Sequence, residues 1–269
     1  MVAVATMLYA QQEPTTSPSL ESSWQTKNQK VITRSTMVAL GHTNILDTYI
    51  SQEKYSGTEL RFVSHSIVKR EDSRWSRLII HQGFVSMATT RANKGNEMEG
   101  MYNFQYGYLY NWQLCQHRLS VIAGATADAS IGGLYNTHSG NNPAQAQLKF
   151  AITPTASAAY SLSLGKIPLK ATYEIGVPLL GLMFSPNYGQ SYYEIFNRGN
   201  YDHNIIITTP FNSPSMRQML AIDATLKRTT LRIGYLGDIR QANVNNLKSH
   251  IYTHAFMIGV TRKFSILHL

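Results

Sequence analysis

Across residues 102–114 every second side chain is aromatic or aliphatic: Tyr102, Phe104, Tyr106, Tyr108, Tyr110, Trp112 and Leu114. Between them stand Asn103, Gln105, Gly107, Leu109, Asn111 and Gln113. Period two marks extended backbone, because successive strand side chains point to opposite faces. The same alternation runs through residues 146–164. Leu148, Phe150, Ile152, Tyr160 and Leu162 share one parity, and Gln147, Lys149, Thr153, Thr155 and Ser157 share the other. Shorter stretches repeat it at 169–177, 220–226 and 255–264. Ordinary strands average ~5–6 residues, whereas strands tilted across a bilayer need ~9–11 for the hydrocarbon alone. No segment sustains the i, i+3, i+4, i+7 spacing of an amphipathic helix.

The polar face carries Gly, Ser, Thr, Ala, Asn and Gln with sparse charge. Charged residues are only 14% of the chain, below the ~25% of soluble domains. A solvent face would carry Lys, Glu and Arg, and small polar residues suit a crowded lumen. The expected fold is therefore all-β, an antiparallel up-and-down transmembrane β-barrel. Lys+Arg number 24 and Asp+Glu 15, giving a net charge of +9. No basic run or recognition helix accompanies that charge, so a nucleic-acid partner is not expected. A basic balance suits lipopolysaccharide phosphates or an anion-leaning lumen. One Cys excludes a disulfide scaffold and a Cys-rich zinc module.

Short turns are read near residues 71–73, 115–116, 165–166 and 227–228. Longer loops are read near 41–56, 92–96, 135–143, 178–190 and 241–247. Outer-membrane barrels pair short periplasmic turns with longer outer loops. Plain alternating runs give eleven strands. A further strand at residues 191–197 makes twelve, the even number that single-chain bacterial barrels require. Both chain ends then lie on the periplasmic side.

Residues 251–264 (IYTHAFMIGVTRKF) resemble the closing strand of a Gram-negative outer-membrane barrel, with Phe264 as the terminal aromatic. From about Val31 onward the chain is similar in texture to uncharacterised Bacteroidetes-type barrel families. The resemblance implies the outer membrane of a Gram-negative bacterium and the barrel-assembly machinery as a partner during biogenesis. It implies contact with outer-membrane lipids including lipopolysaccharide. Residues 1–10 (MVAVATMLYA) read as a signal-peptide remnant, residues 11–30 as a flexible segment and residues 31–269 as the barrel.

The leading functional expectation is a narrow pore or structural barrel. The alternatives are a barrel-embedded lipid-modifying hydrolase and a soluble β-barrel ligand-binding protein. A hydrolase needs Ser, His and an orienting group within reach. Ser64 and Ser66 flank His65, but adjacent strand residues face opposite ways. His254 shares the apolar face with Tyr252 and Phe256. His250 and His254 are too far apart on a strand for a metal site, and no cofactor is expected. Glu174, Asp223 and Arg232 fall on the polar parity and are lumen candidates. Residues 178–190 break the alternation with Pro178, Gly181, Pro186 and Gly189. That segment, with Phe184 and Tyr188 in it and Glu194 just beyond, is expected to constrict the barrel or cover its mouth, or else to be an ordinary structured outer loop.

Overall fold

The computed structural model describes residues 30–266 apart from 93–94, 141 and 228. The expected signal-peptide remnant at residues 1–10 and residues 11–29 of the flexible segment lie outside the described residues. The strands are β1 (Lys30–Asp47), β2 (Tyr55–Arg70), β3 (Trp75–Thr90), β4 (Asn96–Leu114), β5 (Leu119–Asn136) and β6 (Ala144–Leu164). They continue with β7 (Ile167–Gly176), β8 (Leu180–Phe184), β9 (Ile205–Thr208), β10 (Met216–Leu226), β11 (Thr229–Val244) and β12 (Leu247–Ile266). One helix, α1 (Tyr192–Phe196), lies between β8 and β9.

The twelve strands form one antiparallel sheet, and ten of them close into a ring because β5 also pairs with β6. Around the ring the order is β5, β4, β3, β2, β1, β12, β11, β10, β7, β6. The register starts at Phe150 and passes Ala129, Phe104, His81, Ser64 and Thr36. It continues through Val260, Leu231, Ala224 and Leu169 and returns to β6 at Leu162, twelve residues further along. That stagger is what tilts barrel strands by ~35–45°.

β8 and β9 stand outside the ring. β8 takes up the edge of β6 where β7 leaves it, with Leu180 opposite Ile152 and Met183 opposite Lys149. Val177 N donates to Pro154 O and Leu179 N to Ile152 O, at 3.1 and 3.0 Å. Pro178 between them has no N–H to offer. Thr155 pairs with Gly176 but Ile152 with Leu180, so β7–β8 gains one residue over its partner, as at a bulge. β9 pairs with β8, and residues 209–215 then lead into β10.

The expected strand at residues 191–197 is instead α1. Ser191 accepts from Glu194 N, and the Glu194 carboxylate accepts from Ser191 N, a reciprocal cap that favours a helix start. Parity is kept because β7–β8 and β9–β10 each make one broken crossing. Short turns gather at the end holding Lys30 and Ile266, and longer connections gather at the other end. The exception at the loop end is Asn245–Asn246, a two-residue turn with φ of 52° and 59°. Hairpin turns of this twist need φ > 0 at both positions, which Asn tolerates.

The alternation sorts as the sequence predicts. Tyr102, Tyr108, Trp112, Phe150, Leu40 and Ile258 lie exposed on the outer face. Met37, Leu78, Leu109, Met219, Leu236 and Met257 are buried inside.

Candidate functional site

The interior of the barrel divides into levels. Nearest the long loops, Ile45, Tyr55, Ala88, Leu134 and Ile251 form an apolar cluster. Below it lies an ionic cluster. Arg61, fully buried, donates from Nε to Glu59 Oε1 at 2.7 Å. Its Nη1 donates to Asp238 Oδ2 at 2.9 Å and to Gln82 Oε1 at 3.1 Å. Glu59 also accepts from Thr253 Oγ1 at 2.9 Å. The guanidiniums of Arg61 and Arg240 lie 4.1 and 4.9 Å from the centre of the Phe84 ring, which suits cation–π attraction. Glu59 and Asp238 each have Arg61 beside them, as burial of a charge favours, whereas Glu97 and Asp47, buried nearer the mouth, accept from Asn136 Nδ2 at 3.1 Å and Tyr49 N at 3.0 Å.

Two further contacts join opposite walls. Arg240 Nη1 on β11 donates to Glu99 Oε1 on β4 at 2.6 Å. His65 Nε2 on β2 meets Glu174 Oε2 on β7 at 2.9 Å. In a ring of ten, β4 and β11 are five strands apart in either direction, and so are β2 and β7. Side chains from facing walls therefore touch at two levels. Between the levels sits the apolar collar of Met37, Val63, Ile80, Met219, Leu236 and Met257.

The end nearest the short turns is different. A cavity of about 590 Å³ opens there, lined in part by Thr33, His65, Asn111, Lys170, Glu174 and Arg232. Asp223 accepts from Arg232 Nε and Nη2 at 2.7 and 2.6 Å and from Thr261 Oγ1 at 3.1 Å.

At the loop end, the segment carrying α1 reaches across the mouth. Tyr192 accepts from Ala146 N at 2.7 Å and donates to Gln145 Oε1 at 3.0 Å, both at the start of β6. The same ring meets Tyr49, just past β1, edge-on at 5.8 Å. β6 and β1 are again five strands apart. Burial pushes the Tyr192 phenol up to about 12 and Tyr49 above its ordinary value too, so both stay neutral hydrogen-bonding groups. The Ser191 backbone N–H holds the Glu194 carboxyl below its ordinary value.

The expected site residues thus fall in two places. Glu174, Asp223 and Arg232 are inside, Glu174 with His65 and Asp223 with Arg232. Pro178 sits at the bulge and lines a cavity of about 70 Å³ beside Arg217 and Arg240. Phe184 stacks with Phe196 of α1, Pro186 is buried, Tyr188 is exposed and Glu194 caps α1. His65 and Ser66 lie on opposite faces of the wall, His65 on Glu174 and Ser66 accepting from Arg34 Nε at 3.2 Å. His254 faces outward, its Nδ1 2.5 Å from the Tyr235 hydroxyl. Among the described residues no cluster of three or more His, Cys, Asp or Glu has the arrangement of a metal site. The sequence reading missed Glu59, Arg61, Asp238 and Arg240. Their signal was an acid and a base two apart on the parity opposite an apolar residue, Leu60 in one case and Ile239 in the other.

A monomeric soluble protein rarely exposes an apolar patch beyond ~300–600 Å². Here the outer face of a closed ring exposes Leu40 at 62%, Phe62 at 49%, Phe150 at 50% and Ile258 at 58%, on four different strands. An apolar outside, a hydrogen-bonded inside and a closed edge define a transmembrane β-barrel. The chain belongs to the family described as "Protein of unknown function (DUF3316)", whose model matches residues 1–269. No curated protein matches it. Among solved structures it is similar to the outer membrane protease OmpT from Escherichia coli, at 8% identity and TM-score 0.42, covering 88% of this chain and 96% of that one. It is similar also to the transport unit of the autotransporter AIDA-I from Escherichia coli, at 7% identity and TM-score 0.43, covering 86% and 90%. Neisserial surface protein A aligns at 7% identity and TM-score 0.29, over 84% and 96%. At such scores no residue role or activity of theirs is carried to this chain.

Proposed function

We propose that this chain is an outer-membrane barrel of a Gram-negative bacterium of the Bacteroidetes type, closed by its own side chains: a structural barrel or shut narrow pore. The observation that carries this reading is contact between facing walls, Arg240 to Glu99 and His65 to Glu174. A barrel of ten strands is wider than the ~8-strand barrels that side chains simply fill, so closure here needs long side chains that meet in the middle. Glu174 belongs to that filling, Asp223 and Arg232 pair along one wall at the open turn end, and residues 178–190 with α1 cover the mouth. The short turns face the periplasm and the long connections face outward. On this reading the aromatic outer face contacts outer-membrane lipids including lipopolysaccharide, and the chain is inserted by the barrel-assembly machinery.

The test is current through planar bilayers. The native chain is expected to add no steady conductance to the bare membrane. Replacing Arg61, Arg240 and Glu99 together by Ser, which removes charge of both signs, is expected to give discrete channel steps. A steady, open native channel overturns the closed reading. A protease site placed at residues 137–140 is expected to be cut from outside intact cells, and one at Gly165 to be protected. The reverse pattern overturns the orientation.

A further inference from the structure

We infer that the short-turn end of the barrel is a binding site for a multiply charged oxyanion, in the first place a phosphate-bearing one. The cavity of about 590 Å³ there adjoins a second of about 560 Å³, and both are lined by Thr33, Lys170, Arg232 and Lys263. Ligand sites commonly span ~300–1,000 Å³. The space ends blindly, because Met219 at its inner end belongs to the apolar collar. It is a pocket, not a passage.

Its charge is one-sided. Lys69, Lys170 and Lys263 take the inward parity of β2, β7 and β12 and line the cavity. Lys170 stands opposite Asp223 in the β7–β10 ladder. Yet both Asp223 oxygens are held by Arg232. Glu174, at the inner end, is held by His65. Glu71 lines the rim, in the turn after β2. Among the described residues no carboxylate lies within ion-pair reach of Lys69, Lys170 or Lys263. Like charges aimed into a low-dielectric cleft focus a positive potential inside it. Lysine meets phosphate as a point charge, and Asn111, Ser157 and Thr33 supply further hydrogen bonds from the lining.

The experiment titrates the full chain in zwitterionic micelles with pyrophosphate at low salt, followed by calorimetry. Saturable binding is expected. Lys170→Gln with Lys263→Gln is expected to weaken it at least about tenfold, and Lys170→Arg with Lys263→Arg to retain it. Arg34→Gln removes a cation at the same end but on the outer parity of β1 and outside the lining of both cavities, and should leave affinity unchanged. Repeating the titration in nanodiscs with and without phosphatidylglycerol separates two sources of the same chemistry. If the anionic lipid abolishes pyrophosphate binding, the pocket takes lipid headgroups. If binding persists, it takes a soluble anion. Absence of saturable binding by the native chain overturns the inference. So does equal affinity in the double Gln variant, or an equal loss on Arg34→Gln.

Discussion

The loop half and the turn half of the barrel interior share ten strands and one stagger, yet one is filled and the other is open. Toward the loops the interior bases are Arg61, Arg217, Arg240 and Lys149, and the interior acids are Glu59, Glu99, Asp128 and Asp238. Within this cluster the signs balance, and the groups join in ion pairs and hydrogen bonds; Asp47 and Glu97, buried nearer the mouth, are held by the neutral donors Tyr49 N and Asn136 Nδ2 instead. Toward the turns, Lys69, Lys170, Arg232 and Lys263 face only Glu174 and Asp223 within the strands. Balanced charge can be buried because each ion finds a partner; unbalanced charge has to keep water. The comparison teaches that strand number sets how wide the interior is, and charge balance decides which part of it is dry.

The sharpest way to break that comparison is to unbalance the dry half. Arg61→Ala leaves Glu59 and Asp238 facing each other without their shared cation. Stranding a buried charge this way costs ~3–5 kcal/mol. Urea unfolding of the refolded barrel in lipid vesicles should show a loss of that size. A loss under 1 kcal/mol would mean that water already reaches Arg61 and that the two halves do not differ.

The next effect concerns the two faces of the wall. Phe150→Lys puts an ammonium on the outer face, where a midplane cation costs ~2–4 kcal/mol. Ser157→Lys on the same strand points inward to the wet cavity and should cost much less. Equal losses in the same unfolding assay would show that the outer face is not in lipid.

Both predictions rest on parity, the part of the fold most legible in the sequence. On β4 and β6 the alternation is unbroken for a whole crossing, so each side chain's face could be assigned from its neighbours alone. The β7–β10 sector was not legible in the same way. Pro178 adds a residue to one strand of the pair, and one extra residue reverses the face of everything after it. Residues 191–197 read as a strand only through the even-number rule, whereas Ser191 and Glu194 stand at capping-box spacing. The interior site was half legible. Glu174, Asp223 and Arg232 could be placed inside by parity. Which wall they meet depends on the ring's stagger and closure, and no local pattern encodes that.

Arg232→Ala sharpens the contrast between the halves from the wet side. It removes two charged hydrogen bonds from Asp223, a contribution of ~1.5–3 kcal/mol. Water enters beside the abandoned carboxylate, and Lys170 stands opposite it in the ladder. The loss should therefore be clearly smaller than for Arg61→Ala, although both remove one arginine from a paired acid. Matched losses in urea would show that the turn half is as dry as the loop half.

The smallest effect tests whether the lid over the dry half is an independent part. α1 has five residues, and an isolated helix of that length is unstable in water. It persists here because Ser191 and Glu194 satisfy each other's backbone donors and because Tyr192 and Phe196 pack on Phe184. Ser191→Ala removes one of the two caps, at ~1 kcal/mol. The ring below is held by strand ladders that Ser191 does not touch. Amide exchange at Tyr193–Asn197 should accelerate several-fold, while exchange in β1 and β12 and the urea midpoint stay where they were. Lowering the pH should act the same way. Glu194 is held below its ordinary value by the Ser191 N–H, so its contribution is complete above the ordinary carboxylate range and is lost as the pH falls through the depressed value. The protection of the α1 amides, measured against the rate of a free amide at the same pH, should fall on acidification in the native chain and less so in Glu194→Gln, where nothing titrates. If Ser191→Ala instead lowers the urea midpoint together with exchange protection in β1, lid and ring unfold as one unit, and the segment over the mouth is part of the wall.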